Sequence, residues 1–296
     1  MIIENMPSSE YHAKGNTFSS SQLKTMLEDP EIFYRKYISK EIAKEESPAF
    51  DIGTYFHTAI LEPEILEKEC AVFTGIRRGA KWEQFQIENK GKAIVTDKEY
   101  EQCLSLINAV KSSEVAMSYL SKGKAEVSAF ITLLVSSGNV FSEDFVLTPN
   151  GWERAKMPKT GVELTIKCRA DFLGDSYILD LKSTTGNAKN DFAMRQKVSA
   201  YSYDLSASLY LDIFSVALKK PMRTFLWTFA SKDMGNSRTY VASQQNVLIG
   251  RAKWKKAVLL LAQYISNDWQ FKDELGILEP NFYETEWIKT KEEDVL

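Results

Sequence analysis

The sequence predicts a mixed α/β fold, an α+β arrangement in which helices pack on a central mixed β-sheet. Two observations carry this. Helical patterns come first, a β-rich block follows at 126–182, and a helix, a strand and another long helix close the chain. No Pro/Gly/Ser-rich linker divides the 296 residues, so one domain over 1–296 is expected, with its core at about 48–230 and helices at 19–38 and 244–266 packed on it. A 44% hydrophobic and 12% aromatic composition is enough to offset the entropy of ordering such a core.

In chain order, residues 19–27 open on Ser19, Ser20 and Ser21 and space Leu23, Met26 and Leu27 on one helix face, ended by Asp29-Pro30. A short helix is expected at 31–38 with Phe33 and Tyr37 on one side, then a polar linker at 39–47. Residues 50–61 are mostly apolar and stop at Glu62-Pro63, as a buried helix does. The basic stretch 76–92 has no strong period and reads as a loop or short helix. Residues 96–120 read as one long amphipathic helix with Leu104, Ile107 and Val110 in its stripe. Strands are expected at 126–135, 163–173 and 177–182, with 136–161 a loop or hairpin excursion. A long helical pattern at 190–218, a strand at 223–229, a helix at 244–266 and a frayed acidic end at Glu292, Glu293 and Asp294 complete the order.

A net charge of −3, from 37 Lys+Arg and 40 Asp+Glu, excludes a histone-like or ribosomal binder. It leaves room for an enzyme of nucleic acids, which needs only a local basic groove and whose metal-binding carboxylates pull the net charge negative. Cys70, Cys103 and Cys168 lack CxxC spacing, so buried thiols in a reducing cytosol are expected. With no leader pattern at the start and no run of about 18 apolar residues, a soluble, cytoplasmic chain without a membrane partner is expected. Walker A, dinucleotide and G-x-S-x-G patterns are missing, which leaves ATP-driven helicase and serine hydrolase readings without support.

The chemistry concentrates at 164–182. Leu164, Ile166, Cys168, Ala170 and Phe172 alternate onto one strand face, leaving Lys167, Arg169 and Asp171 on the other. With a two-residue loop at Gly174-Asp175, Asp180 becomes the diagonal neighbour of Asp171, about 7–8 Å away or less and near enough to share a divalent ion. A three-residue loop turns Asp180 away. Asp180 and Lys182 share a face in either case. A metal-dependent phosphodiester hydrolase needs carboxylates for the ion and a cation beside the attacking water or the charged phosphate. Asp180-Leu181-Lys182 offers both, with the Leu181 backbone carbonyl as a further ligand. An isolated Asp-x-Lys is also an ordinary solvated strand face, so its weight comes from context.

That context is a resemblance. Asp171, a turn, an apolar strand and Asp180-x-Lys182 together resemble the core of the PD-(D/E)xK nucleases, with Arg169-Ala170-Asp171 in the place of the first acidic motif. Upstream, Gly53-x-x-x-His57-x-x-x-Leu61-Glu62-Pro63 resembles the helix of RecE-like phage exonucleases of the exodeoxyribonuclease VIII type. Arg77-Arg78-Gly79, Gly91-Lys92, Glu126-Val127-Ser128 and the opening Ser20, Leu23, Asp29-Pro30 and Phe33-Tyr34 fall in the family's order, so the resemblance covers about 8–215.

The resemblance implies a restriction-endonuclease-like core with His57 beside the metal, Asp171 and Asp180 as metal carboxylates, and Lys182 as the catalytic lysine that positions or deprotonates water. Glu126 is the family's glutamate at a strand start. The implied cofactor is Mg2+, with Mn2+ a possible substitute. The implied activity digests linear double-stranded DNA from the 5′ end and leaves 3′ single strands for phage-type homologous recombination. The implied partners are double-stranded DNA ends, further copies of the chain in a toroidal homo-oligomer, and a single-strand annealing protein, in a bacterial host carrying the phage or prophage. The family's Y-x-Y-x-x-Q-x-x-x-Y helix matches at Tyr201, Tyr203 and Tyr210, but Ser206 stands where the glutamine belongs. That departure keeps open a single-strand or structure-specific nuclease; a catalytically silent DNA-binding protein is the remaining alternative. Arg77, Arg78 and Lys81 can contact phosphate, and Trp82 and Tyr203 can stack or contact DNA; a solvated loop and core packing are the plainer readings.

Overall fold

The computed structural model describes residues 1–43 and 48–271, so the expected acidic end at 292–294 and residues 44–47 of the expected linker lie outside the described residues. Helix α1 (Ser20–Glu28) starts on a capping box, in which the Ser19 N–H donates to Gln22 Oε1 at 2.8 Å. Asp29 ends it and caps the next helical turn, Pro30–Phe33, by accepting the Ile32 N–H at 2.9 Å; a π-helical turn, Tyr34–Ile38, follows. Helix α2 (Pro48–Leu61) is the apolar helix read from the sequence. Helix α3 (Asp97–Lys111) is shorter than expected. Ser113 caps a separate helix, Glu114–Leu120, by accepting the Ala116 N–H at 3.2 Å, and this competing bond breaks the long pattern. The buried stripe of α3 is Cys103, Leu106, Ile107 and Val110, whereas Leu104 is 38% exposed. The basic stretch holds the helix Ala80–Glu88.

Strands β1 (Gly123–Ser136), β2 (Asn139–Ser142), β3 (Phe145–Thr148) and β4 (Gly151–Arg154) come next, so the expected excursion at 136–161 is a meander that widens the sheet. Trp152 ties it down by donating from Nε1 to the Asp212 carbonyl at 3.1 Å. Strands β5 (Val162–Gly174) and β6 (Tyr177–Thr184) form a hairpin. Helices α4 (Asp191–Ala200) and α5 (Tyr203–Ala217) replace the single expected helix, because Ser202 between them takes the left-handed conformation at φ 46°. They form the crossover that a parallel pair requires, from β6 to its parallel neighbour β7 (Thr224–Ser231). Strand β8 (Ser237–Val241) and helix α6 (Gln244–Ser266) follow.

The central sheet runs β8-β7-β6-β5-β1-β2-β3-β4, with the short strands Ile2–Ile3 and Thr17–Phe18 added to β1 and β5. It is mixed, since β6–β7 is parallel and the other pairs along that path are antiparallel. Two apolar layers cover it. Leu23 of α1, Leu205 and Leu209 of α5 and Trp254 of α6 pack in one core with Val127, Ala129, Cys168 and Ala170. Phe56 of α2 and Cys103 and Leu106 of α3 pack in the other with Phe172, Leu179 and Leu181.

The two central strands change layers partway. Val127 and its partner Ala170 face the first layer, whereas Ala125 and its partner Phe172 face the second. Residues two apart in a regular strand share a face, so β1 and β5 both turn over between these pairs. The residues at the turnover are Glu126, at φ 49°, and Asp171. Phe172 therefore does not continue the face of 164–170, contrary to the alternation read from sequence. The opposite face of β5 is not solvated either. Lys167 is 4% exposed under the N-terminal segment, donating to the Tyr11 carbonyl at 2.8 Å.

Helices α5 and α6 meet closely at Gly250, where a Cβ would run into the Asp204 carbonyl and lie 3.0 Å from Ser208 Cβ. Gly250→Ala is expected to push the helices apart and cost about 1–3 kcal/mol in stability. Thermal unfolding checks this, and a wild-type Tm would contradict the packing described.

Candidate active site

The site lies at the turnover of β1 and β5. The hairpin register pairs Leu173 with Ile178 and Phe172 with Leu179, so the connecting residues are Asp175 and Ser176. The ladder pairing ends there, and Asp171 and Asp180 follow its last pair; the strands meet next through the Leu181 N–H, which donates to Asp171 Oδ2 at 2.8 Å, and not in the diagonal register read from the sequence. Gly174 permits this turn: a Cβ there would run into the Tyr177 ring, which is anchored by donation from its hydroxyl to the Lys122 carbonyl at 3.1 Å. On the other side of β5, Glu126 stands opposite Asp171, between the pairs Ala125–Phe172 and Val127–Ala170. Three adjacent strands thus bring Glu126, Asp171 and Asp180 to neighbouring places in the sheet.

Glu126 pays for its place with a left-handed backbone, which costs a residue bearing a Cβ on the order of 1–3 kcal/mol. The strain turns its side chain toward Asp171. Helix α2 brings the fourth group, held by the fully buried Phe56: His57 Nδ1 lies 3.4 Å from Asp171 Oδ2. One donor atom each from His57, Glu126 and Asp171 fall within 4.8 Å of one another. Two carboxylates and an imidazole so gathered suit a divalent cation of the harder, oxygen-preferring kind. Asp171 is held for this by accepting the Leu181 N–H at 2.8 Å on Oδ2. An extended residue directs its N–H and C=O to the same edge, so the Leu181 carbonyl also faces this gap.

Asp180, read from the sequence as a metal carboxylate, is not among those three residues. It is 8% exposed, and its Oδ2 lies 2.5 Å from Lys182 Nζ. Burial lowers the pKa of Lys182, but the Asp180 and Asp171 carboxylates more than reverse this and push it up to about 12. Lys182 is therefore an ammonium at neutral pH, suited to orienting water and neutralising phosphate rather than removing a proton. Burial raises Asp180 above the usual carboxylate range, with Lys182 opposing. Glu126 is pushed up to about 8 by burial and by Asp171, against the pull of Arg169. Arg169 Nη1 is 3.6 Å from Glu126 Oε2; its Nε donates to Ser128 Oγ at 3.0 Å, and its guanidinium stacks on the Tyr11 ring at 4.4 Å.

The basic stretch is only partly free. Arg77 donates to the Ile94 carbonyl at 2.6 Å and pairs with Glu99 at 2.8 Å and Asp51 at 3.3 Å, so it braces α2 against α3 instead of awaiting DNA. Trp82 packs edge-on against Phe73 at 5.1 Å and under Arg77. Arg78 and Lys81 are exposed. Tyr203 does border the site: Lys182 Nζ lies 5.2 Å from its ring centroid and Lys24 Nζ 5.3 Å. Lys24 and the supporting role of Arg169 escape a reading of the sequence. Lys24 sits on a short amphipathic helix far away in the chain, and Arg169 shows only as a polar strand position.

The fold has a counterpart among solved structures. A crystal structure from Eubacterium rectale, described as a "putative exonuclease", superposes with a TM-score of 0.58 at 14% identity, covering 95% of this chain and 97% of that one. The structure of SSO0001 matches at 13% identity over 79% of this chain and 83% of that one, with a TM-score of 0.27. No curated protein matches significantly. The model of the PDDEXK-like domain of unknown function (DUF3799) matches residues 19–270, a span that contains every element of the site, and the chain belongs to that family.

Proposed function

We propose that this protein is a Mg2+-dependent exodeoxyribonuclease that digests linear double-stranded DNA from 5′ to 3′ and leaves 3′ single-stranded ends for phage-type recombination. The observation that supports it best is the meeting of His57, Glu126 and Asp171 within 4.8 Å of one another beside the Lys182–Asp180 pair. Asp171, Glu126, His57 and the Leu181 carbonyl would hold the ion, and Asp180 offers a neighbouring carboxylate. When bound, Mg2+ supplies Lewis acidity at the scissile phosphate and a more acidic water. Lys182 contributes a fixed positive charge where negative charge develops, kept in place by Asp180 and by the Tyr203 ring. Asp171 is prevented from turning away by the Leu181 N–H, and Arg169 limits repulsion between Glu126 and Asp171. A toroidal homo-oligomer, a single-strand annealing partner and the cytoplasm of a phage-bearing bacterial host belong to the same reading and rest on family resemblance.

The test is digestion of 5′-labelled, 3′-labelled and covalently closed circular duplex DNA, with Mg2+ or EDTA, using wild type beside Asp180→Ala. Metal-dependent release of 5′ nucleotides from linear DNA alone, lost in the variant, is the expected result. Attack on closed circles or release from the 3′ end overturns the stated polarity, and an inert wild type overturns the enzyme reading.

A further inference from the structure

Near Lys24, whose ammonium lies over the Tyr203 ring, each of the two buried carboxylates already binds another lysine. Lys182 pairs with Asp180 at 2.5 Å, and Lys253 holds Asp204 at 2.7 and 3.0 Å. Lys24 Nζ lies 5.3 Å from the ring centroid. Both nearby buried carboxylates are already taken. Glu28, one helical turn further along α1, is exposed. Among the described residues the Lys24 ammonium reaches no carboxylate at ion-pair distance and donates no hydrogen bond; its direct contact is the ring face. Burial and the nearby Lys182, opposed by Asp180, Asp204 and Glu28 from beyond contact distance, draw its pKa down to about 8, which still leaves it charged at neutral pH.

A half-buried ammonium with no carboxylate at ion-pair distance destabilises the free protein, because Asp180, Asp204 and Glu28 favour its charge only from further away and do not fully repay its desolvation. Its stem does not require the charge, since a Met of similar length would cover the same apolar surface. What this arrangement lacks is an anion, and the neighbouring Lys182 indicates which one. We propose that Lys24 is a phosphate-binding residue of the active site, its ammonium contacting a non-bridging oxygen of the DNA strand held at Lys182. This rests on the nuclease reading above and adds a substrate contact from α1, a helix that contributes nothing to the metal cluster. Lysine suits a single phosphate oxygen, as a point charge without the fork geometry of arginine.

The experiment measures binding of a short fluorescent duplex oligonucleotide over a range of salt, with Ca2+ in place of Mg2+, for wild type, Lys24→Met and Lys24→Arg, and records Tm for each. Lys24→Met is expected to bind about tenfold more weakly and to lose about 0.9 from the slope of log affinity against log salt, as one lost phosphate contact does. Its Tm should match or exceed wild type, whereas a merely structural lysine would give a lower one. Lys24→Arg should keep most of the affinity. Wild-type affinity and slope in Lys24→Met overturn the proposal. Cleavage by wild type in Mg2+ is scored separately. A wild type that binds but never cleaves, with weakened Lys24→Met, sinks the nuclease reading and leaves this contact standing; a wild type that does not bind sinks both.

Discussion

Lys182→Met and Asp180→Asn are each expected to slow DNA cleavage by about 10²–10³-fold while leaving the fold in place. The two side chains touch at 2.5 Å, one as an ammonium and the other as the carboxylate that fixes it. Groups that act as a unit are strongly non-additive, so the double variant should be no slower than the worse single one. Stability should move the other way. Each single change strands one buried charge, at a cost of about 3–5 kcal/mol, and the double change removes both charges and recovers much of the loss. Single-turnover rates and Tm for the three variants form a closed cycle. Multiplicative rate losses would mean that Asp180 and Lys182 work separately, and full cleavage in both single variants would remove them from the site.

Cation affinity is expected to rise with pH until about pH 8 and then level off. The cause is Glu126, whose carboxyl is held near 8 by burial and by Asp171. An incoming cation must displace its proton, so each pH unit below 8 costs up to about tenfold in apparent affinity. Metal-free stability carries the same linkage with the opposite sense. The folded pKa lies above the ordinary 4.5, so the stability this group contributes is complete below about pH 4.5 and is lost as pH rises through about 8. The Tm gain on adding Mg2+ should therefore be larger at pH 8 than at pH 6. Glu126→Gln should flatten both profiles. Asp171→Ala, which removes the carboxylate common to His57, Glu126 and the Leu181 N–H, should cost more than about 100-fold in affinity. Titration calorimetry and thermal shift at three pH values decide it; a pH-independent affinity would place the raised group outside the ion's ligands.

Much of this was legible in the residue order. The strands at 163–173 and 177–182, the apolar helix at 50–61 and the final helix follow from short-period patterns, and His57, Asp171, Asp180 and Lys182 follow from motifs. The failures have physical causes. Local pattern does not report a backbone turnover, so simple alternation puts Phe172 on the wrong face, and the approach of Glu126 to Asp171 depends on that same turnover. Helix breaks at Ser113 and Ser202 arise from a side-chain cap and a left-handed residue, which leave the apolar period intact. Arg77 looked available because Glu99 and Asp51 lie far from it in sequence. Lys24 was invisible because an unmatched charge can be recognised only when all its neighbours in space are known.

The exchange of faces at Glu126 and Asp171 also governs when the chemistry can begin. His57 arrives with the layer built on α2 and α3, whereas Lys182, Tyr203 and Lys24 gather with the layer built on α1, α5 and α6. A chain that has condensed only one layer holds half a site, and contacts this distant in sequence close late in folding. Nascent chains and proteolytic fragments should therefore be inert toward DNA, and catalytic competence should appear together with the last cooperative step of folding.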